Sequence, residues 1–143
     1  PDELRDVSIA LWDAVDKHPW VGLHLAAEPN LMSVARIYEA IGRSLEALGV
    51  PEVAQFDAGS AIASYINGNL VQQATNTYLA KKLVRTGYGR EAHLREITNI
   101  WRDLDADEYP YVHRIIDQFP KHDDRTQYLA GIDLILAGIT STY

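Results

Sequence analysis

The sequence predicts an all-α protein, and three observations support this prediction. First, Val and Ile do not alternate with polar residues over any useful length, so no segment has the pattern of a half-buried strand. Second, apolar residues recur at spacings of three and four along most of the chain. Third, Pro and Gly divide the chain into segments of helical length. We therefore expect about seven helices in a single domain, residues 1–143.

Pro and Gly mark the ends of the first four helices. Pro19 ends the first helix and opens the second, because proline cannot continue a helix but fits its first position. Pro29 ends the second helix, and Gly49 stops the third, for which Asn30 is the expected cap. The predicted ranges are 2–17, 19–27, 30–48 and 51–85. Their apolar positions include Leu4, Val7, Leu11, Trp12 and Val15, then Ile37, Tyr38, Ile41 and Leu45, then Phe56, Ile62, Ile66 and Leu70.

The next two helices are shorter. Gly87 and Gly89 end the fourth helix, and a fifth is expected over 90–105. Its apolar residues alternate at spacings of three and four, which is typical of a narrow helix-bundle seam. Pro110 starts a sixth helix that runs to Phe119. The seam of the fifth helix consists of Leu94, Ile97, Trp101 and Leu104.

The last helix contains the stretch YLAGIDLILAGI, residues 128–139, in which only Asp133 is charged. A helix that is apolar nearly all round must be covered nearly all round. With about 12 apolar positions it is too short to cross a membrane, which takes roughly 20. Two Ala-Gly pairs seven residues apart predict a face that another backbone approaches closely. Either this helix is the centre of its own domain or a second subunit covers its bare side.

Composition narrows the functional classes. The chain has 143 residues, of which 47% are hydrophobic and 23% charged, as in ordinary globular proteins. The absence of Cys excludes disulfides, zinc-thiolate sites and thiol nucleophiles, and it suits a cytoplasmic protein. A net charge of -7 argues against a nucleic-acid-binding surface. Because the chain starts at Pro1 rather than Met, we expect it to be a piece of a longer protein.

The sequence has no convincing catalytic or metal-binding pattern. A di-metal carboxylate bundle needs two Glu-x-x-His motifs, and only the reversed pair His93 and Glu96 is present. Pairs four residues apart, such as His113 with Asp117, are more typical of surface pairs than of metal ligands. No Gly-rich phosphate loop and no serine nucleophile elbow are found. We therefore expect neither an enzyme nor a bound metal or cofactor.

The fourth helix mixes polar residues with its apolar ones. Ser60, Ser64 and Asn67 lie among Ile62 and Ile66. A buried polar group without a partner costs about 1–3 kcal/mol, so these side chains should face water or line a cavity. Aromatic residues such as Trp12 and Tyr65 would supply walls for a small-molecule site. The alternative is that the aromatic side chains form an ordinary core, which periodicity alone favours.

Three passages resemble the C-terminal effector-binding and dimerisation domain of TetR-family transcriptional regulators. LWDAVDKHPWVGLHLAAEPN, residues 11–30, resembles a helix, a His-Pro turn and a short helix of that family. LEALGVPEVAQFDAGSAIASYINGNLVQQ, residues 45–73, resembles the family's Gly-terminated helix and the long central helix that follows. YPYVHRIIDQFPKHDDRTQYLAGIDLILAGI, residues 109–139, resembles its closing segment.

The resemblance implies a small-molecule site and a homodimer. The implied dimer forms through a four-helix bundle built from the fifth and last helices of each subunit. Matched and neighbouring positions give the expected ligand-binding residues Leu11, Trp12, His24, Ile37, Tyr38, Ile41, Phe56, Ser60, Ser64, Asn67, Trp101 and His113. The expected dimer-interface residues are Leu94, Ile97, Trp101, Leu104, Tyr128, Gly131, Ile132, Ile135, Gly138 and Ile139.

The resemblance also implies a role. It predicts a transcriptional repressor that leaves operator DNA when a small, largely apolar or aromatic effector binds. The family's N-terminal helix-turn-helix head is missing from these residues, so DNA contact is expected only through that absent domain. No membrane contact is expected. The competing hypotheses are a small helical enzyme or metal-binding bundle, and a helical interaction module without a ligand.

Overall fold

A computed structural model describes residues 2–28, 32–84 and 89–143. These residues form seven α-helices and a short 3-10 helix, and none of them lies in a strand, which confirms the all-α prediction. The helices are α1 (Asp2–Lys17), α2 (Trp20–Ala27), α3 (Met32–Ala47), α4 (Glu52–Val84), α5 (Arg90–Arg102), α6 (Pro110–Ile115) and α7 (Asp124–Thr142), with the 3-10 helix at Phe119–Lys121 before α7.

The chain divides into two compact units. The first contains Pro1–Thr77 and Arg125–Tyr143, and the second contains Tyr78–Asp124. The first unit holds the main hydrophobic core, to which α1, α3, α4 and α7 contribute fully buried side chains. The largest of these are Tyr128, Leu4, Ile41, Leu45, Ile62, Ile66, Leu70 and Ile132.

Polar contacts fix the directions of three helices in the first unit. Arg5 binds Asp133 at 3.2 Å and Arg125 binds Asp13 at 3.1 Å, so α1 and α7 run antiparallel. The Gln73 side chain donates to the Asp16 carboxylate at 2.9 Å, near the C-terminal end of α1. Trp12 and the Tyr65 ring both stack on Tyr128. Tyr65 of α4 therefore lies near Trp12 of α1, and Gln73 of α4 lies near Asp16 of α1. Because the two contacts follow each other in the same order along both helices, α4 runs parallel to α1.

The end of α3 follows from one glycine. Gly49 has a φ of 74°, in the left-handed region that glycine adopts without strain. Its amide donates to the Glu46 carbonyl at 2.9 Å, and the Val50 amide donates to the Leu45 carbonyl at 3.0 Å. These two bonds form a Schellman motif, and its usual apolar contact is supplied by Val50 and Leu45, which are both buried in the core. The predicted stop at Gly49 is confirmed.

In the second unit, α5 ends at Arg102, earlier than the predicted Asp105. Several acidic residues follow, and negative charge is unfavourable at a helix C-terminus. The Asp105 carboxylate instead accepts the amides of Asp107 and Glu108 at 2.8 and 3.1 Å, which stabilises a turn. The predicted seam residue Leu104 therefore lies outside α5. Likewise, α6 ends at Ile115 rather than at Phe119.

The remaining helix boundaries agree only in part with the predicted ones. Pro19 precedes α2 instead of forming its first residue, and α7 begins at Asp124. The predicted roles of Pro29 and Asn30 at a helix boundary, and of Arg85 and Gly87 at the end of α4, lie outside the described residues. The prediction of one domain over 1–143 stays a prediction.

Candidate functional site

The apolar residues predicted to bind ligand belong largely to the core of the first unit. Trp12, Ile37 and Ile41 are buried, and Leu11 is half-buried against the same core. Helix α3 lies close to α4 here, because a Cβ added at Gly59 would be 3.6 Å from Ile41. Core packing thus accounts for these side chains within one chain.

Other predicted ligand-binding residues face solvent in one chain. Phe56 is 81% exposed and Tyr38 is 50% exposed. His24 and Ser64 are also exposed, and the His24 ring lies 6.2 Å from Trp20. These four side chains do not line a closed cavity within the chain itself. This differs from the expected enclosed site, because α2, α3 and α4 turn these positions towards solvent.

Four polar residues of α4 fall into two groups by position. Asn69 donates to the Tyr65 carbonyl at 2.9 Å, and buried Gln73 donates to Asp16, so both have partners inside the unit. Ser60 and Asn67 are half-buried on the side of α4 away from these contacts. Ser60 follows Gly59, the point at which α3 comes close. Among the polar residues of α4 that were predicted to bind ligand, Ser60 and Asn67 are therefore the two that lie next to buried apolar side chains.

The two predicted residues of the second unit, Trp101 and His113, have local partners there. The Trp101 ring lies 5.1 Å from that of Phe119, and the latter lies 5.5 Å from the His122 ring. His113 Nε2 lies 2.8 Å from the Leu104 carbonyl oxygen. Of the seam residues, Leu94 is buried, whereas Ile97, Trp101 and Leu104 are half-buried.

Three residues predicted at the dimer interface make contacts inside their own chain. Tyr128 is 0% exposed and Ile132 is 1% exposed, so neither can meet a second subunit. At Gly131, an added Cβ would lie 1.9 Å from the Tyr65 hydroxyl oxygen. The glycine therefore makes room for an aromatic ring of α4, and the approach of a partner backbone at this position stays a prediction.

The side of α7 that faces solvent differs from the side that was predicted to face a second subunit. Ile135 and Ile139 are half-buried against the core, whereas an added Cβ at Gly138 would meet no atom within 4 Å. Leu134 is 73% exposed. The exposed side of α7 is uncharged apart from Asp133 at its margin, and it consists of Gln127, Ala130, Leu134, Ala137, Gly138 and Ser141.

Helix α4 presents a similar surface beside it. Residues 58–77 contain no Asp, Glu, Lys, Arg or His, although part of this stretch is exposed. Tyr65 joins the two helices by donating to the Tyr128 carbonyl at 3.1 Å. We call the combined surface the α4–α7 face. Its α4 residues are Ala61, Ser64, Gly68, Gln72 and Thr75, and its α7 residues are the six given above.

An aromatic stack lies beneath this face. The rings of Trp12 and Tyr128 are 5.0 Å apart, and those of Tyr128 and Tyr65 are 6.0 Å apart. Burial raises the pKa of Tyr128 to about 12, an effect that the neighbouring Ser8 hydroxyl opposes. Burial also raises the pKa of Tyr65. The sequence indicated Trp12 and Tyr65 as aromatic walls but gave no signal for this stack.

The described residues contain neither a metal-binding cluster nor a membrane-spanning helix. No group of three or more His, Cys, Asp or Glu residues in this part of the chain could hold a metal ion. Within the same residues, no helix is both long enough and apolar enough to cross a membrane.

The chain resembles a solved structure of a transcriptional regulator. No family model matches the chain, and no curated protein does. Among solved structures, the chain is similar to the transcriptional regulator SCO7222, a TetR from Streptomyces coelicolor. The sequence identity is 39% and the TM-score is 0.83, and the match covers 98% of this chain and 65% of that chain. The present chain thus spans slightly less than two thirds of the length of SCO7222.

Proposed function

We propose that the chain is the effector-binding and dimerisation part of a TetR-family transcriptional regulator, the family of the solved structure to which it is similar. The observation that carries the proposal is the 39% identity to a TetR regulator over 98% of the chain. DNA contact is assigned to a helix-turn-helix head outside these residues, because their net charge of -7 does not suit a DNA-binding surface. The role is regulatory rather than catalytic, and the location is cytoplasmic.

We propose a homodimer formed through the α4–α7 face. An exposed helix surface without charges is unusual on an acidic chain, and charged residues are depleted at the centres of protein interfaces. Leu134 adds exposed apolar area to this face. We place α4 beside α7 in the four-helix bundle instead of α5, since Leu94 and Thr98 of α5 are already buried in the single chain.

The dimer explains how such a protein would regulate transcription. Two heads on one dimer reach half-sites about 34 Å apart, one turn of DNA. An effector that binds better to the form with unsuitable head spacing shifts the population away from the DNA-binding form. We propose that the protein is a repressor and that it is released from its operator in this way.

We place the effector beside α3 and α4, near Ser60 and Asn67. Ile37 and Ile41 supply buried apolar surface, and the half-buried hydroxyl and amide supply polar contacts. Since these four residues are uncharged, the proposed effector is a small, largely apolar or aromatic molecule. A thermal-shift screen of the 143-residue chain tests this proposal, because a ligand that binds only the folded state raises the melting temperature.

The screen should include charged and metal-chelating compounds beside neutral aromatic ones. Stabilisation by neutral aromatic compounds that is lost in an Asn67→Asp variant would support the site. Stabilisation by charged compounds alone would contradict the proposed effector class. If no compound of any class stabilises the chain, the protein is better described as an interaction module.

Sedimentation velocity tests the dimer. The Ala137→Glu variant places a charge in the middle of the α4–α7 face and should convert the dimer into monomers. Ala10→Glu is the matched control, because Ala10 is an exposed helical alanine of α1 outside this face. A monomeric unmodified chain at micromolar concentration, or an Ala137→Glu variant that remains dimeric, would rule out this interface.

A further inference from the structure

Two half-buried polar side chains of α4 have no hydrogen-bond partner, although their neighbours in the helix do. Within the described residues, neither the Ser60 hydroxyl nor the Asn67 amide makes a hydrogen bond. All other buried or half-buried polar side chains between residues 60 and 76 have at least one partner, and these are Tyr65, Asn69, Gln73 and Asn76. The pair is therefore available to a bound molecule.

The two side chains lie on the same side of α4. Residues seven apart in an α-helix are separated by almost two turns, so Ser60 and Asn67 lie about 10 Å apart along the axis and point in nearly the same direction. Ser64 lies between them, but it is exposed and belongs to the α4–α7 face. In the proposed dimer the partner subunit covers Ser64, so Ser60 and Asn67 are the two polar groups left to a ligand.

Two neighbouring helices contact α4 before and after this pair. Helix α3 comes close at Gly59, where an added Cβ would lie 3.6 Å from the Ile41 side chain. Helix α2 comes close at Leu70, because a Cβ added to Gly22 would lie 2.7 Å from the Leu70 carbonyl oxygen. The two contacts are about 16 Å apart along α4. A molecule that reaches both polar groups is short enough to lie between them.

We propose that the effector is an elongated, uncharged molecule with a hydrogen-bonding group at each end, and that these groups lie about 10 Å apart. One end contacts Ser60 and the other contacts Asn67. A hydroxyl and a carboxamide can each donate and accept, so hydroxyl, carbonyl and amide end groups all suit the pair. An ionised end group does not, because residues 58–77 contain no charged side chain to pair with it. This inference rests on the proposed function, whose effector site it describes in more detail.

Titration calorimetry of the 143-residue chain with two biphenyls tests the length. In para,para-dihydroxybiphenyl the two hydroxyl groups are separated by nearly the required distance, whereas para-hydroxybiphenyl has one hydroxyl group on the same apolar body. We expect the dihydroxy compound to bind about tenfold more tightly, the upper end of what one net hydrogen bond contributes. Hydroquinone has the same end groups but is too short, so its second hydroxyl should give no gain over phenol.

Alanine variants assign the two ends of the ligand. Ser60→Ala and Asn67→Ala should each remove the preference for the dihydroxy compound, because each leaves one of its ends without a partner. Asn99→Ala is the matched control and should keep the preference, since Asn99 is an exposed helical asparagine of α5. Alanine favours the helix at all three positions, and circular dichroism establishes that each variant is folded.

Three outcomes would overturn the proposal: equal affinity for the two biphenyls, no binding of either, or a preference that persists in Ser60→Ala and Asn67→Ala. The thermal-shift screen separates these outcomes from a failure of the proposed function. If it finds a stabilising compound of another shape, the effector site stands and only its length is wrong. A chain that no compound stabilises contradicts the proposed function itself.

Discussion

At the scale of single residues, Tyr65 and Tyr128 are neighbouring phenols with opposite hydrogen-bonding situations. The half-buried Tyr65 hydroxyl donates to a backbone carbonyl, whereas the fully buried Tyr128 hydroxyl makes no well-formed hydrogen bond in the described part of the chain and has only the Ser8 hydroxyl close by. The two rings stack on each other, so removing either oxygen leaves nearly the same apolar contact. Replacing each tyrosine by phenylalanine therefore compares what the two hydroxyl groups contribute to stability in one environment.

We expect Tyr65→Phe to lower the free energy of unfolding by about 1 kcal/mol, the typical net value of a hydrogen bond. Tyr128→Phe should leave stability unchanged or raise it, because no bond is lost and a buried polar atom is removed. Urea denaturation of both variants measures the difference. A larger loss in Tyr128→Phe than in Tyr65→Phe would show that the buried hydroxyl is satisfied in solution.

Stability should also fall at high pH because of Tyr128. Burial raises its pKa from 10.0 to about 12, so the unfolded chain loses this proton at a lower pH than the folded chain. The stabilisation is complete below pH 10 and is lost as the pH rises towards 12, and it amounts to on the order of 2–3 kcal/mol. Urea denaturation across this range should show a flatter pH dependence for Tyr128→Phe than for the native chain.

The two glycines of α7 should respond oppositely to alanine. In Gly131→Ala the new methyl group collides with the Tyr65 ring, and overpacking of this kind costs about 1–3 kcal/mol. In Gly138→Ala the methyl group enters open space, and helix propensity favours alanine by up to about 1 kcal/mol. Thermal unfolding of the two variants gives the comparison. Equal effects would contradict the described position of the Tyr65 ring.

At the scale of elements, α1 and α7 are joined by two ion pairs of opposite polarity. Arg5 and Asp13 of α1 are eight residues apart, as are Arg125 and Asp133 of α7, and each arginine meets an aspartate of the other helix. In a parallel arrangement like charges would face each other. The pairs therefore favour the antiparallel orientation, although exposed pairs add little to overall stability.

A charge exchange tests this arrangement. Arg5→Asp should destabilise the chain by about 0.5–1 kcal/mol, because it places two carboxylates opposite each other. Adding Asp133→Arg should recover most of the loss, since the exchanged pair has the same geometry with reversed polarity. A double-mutant cycle in urea measures the recovery. If the double variant is as unstable as the sum of its single changes, the two side chains do not interact.

The elements also show what the sequence could and could not predict. Pro and Gly act through local backbone geometry, so the number of helices and the stop at Gly49 followed from them directly. The orientation of α7 did not follow, because apolar residues surround this helix and leave no polar side to face water. Tyr128 and Ile132 were thus assigned to a partner although they are buried in the core of their own chain. In α1, charges such as Asp6 and Asp13 marked the outer side, and its buried side was predicted well.

At the scale of the whole molecule, the proposed dimer makes stability depend on concentration. A folded subunit that exposes Leu134 gains from covering it, so association stabilises the folded state by mass action. We expect the melting temperature to rise with protein concentration in the native chain and to be constant in Ala137→Glu. Calorimetry over a wide concentration range measures this dependence. A melting temperature that does not change with concentration would speak against a dimer that dissociates on unfolding.

The lack of charge on the α4–α7 face has a kinetic consequence. Two such surfaces have no opposite charges with which to attract each other over a distance, so their encounter proceeds at an unsteered rate of about 10⁵–10⁶ M⁻¹s⁻¹. With both subunits carrying a net charge of -7, repulsion slows the approach further in dilute buffer. Added salt should therefore accelerate pairing, and freshly synthesised subunits would find each other more slowly than oppositely charged proteins do.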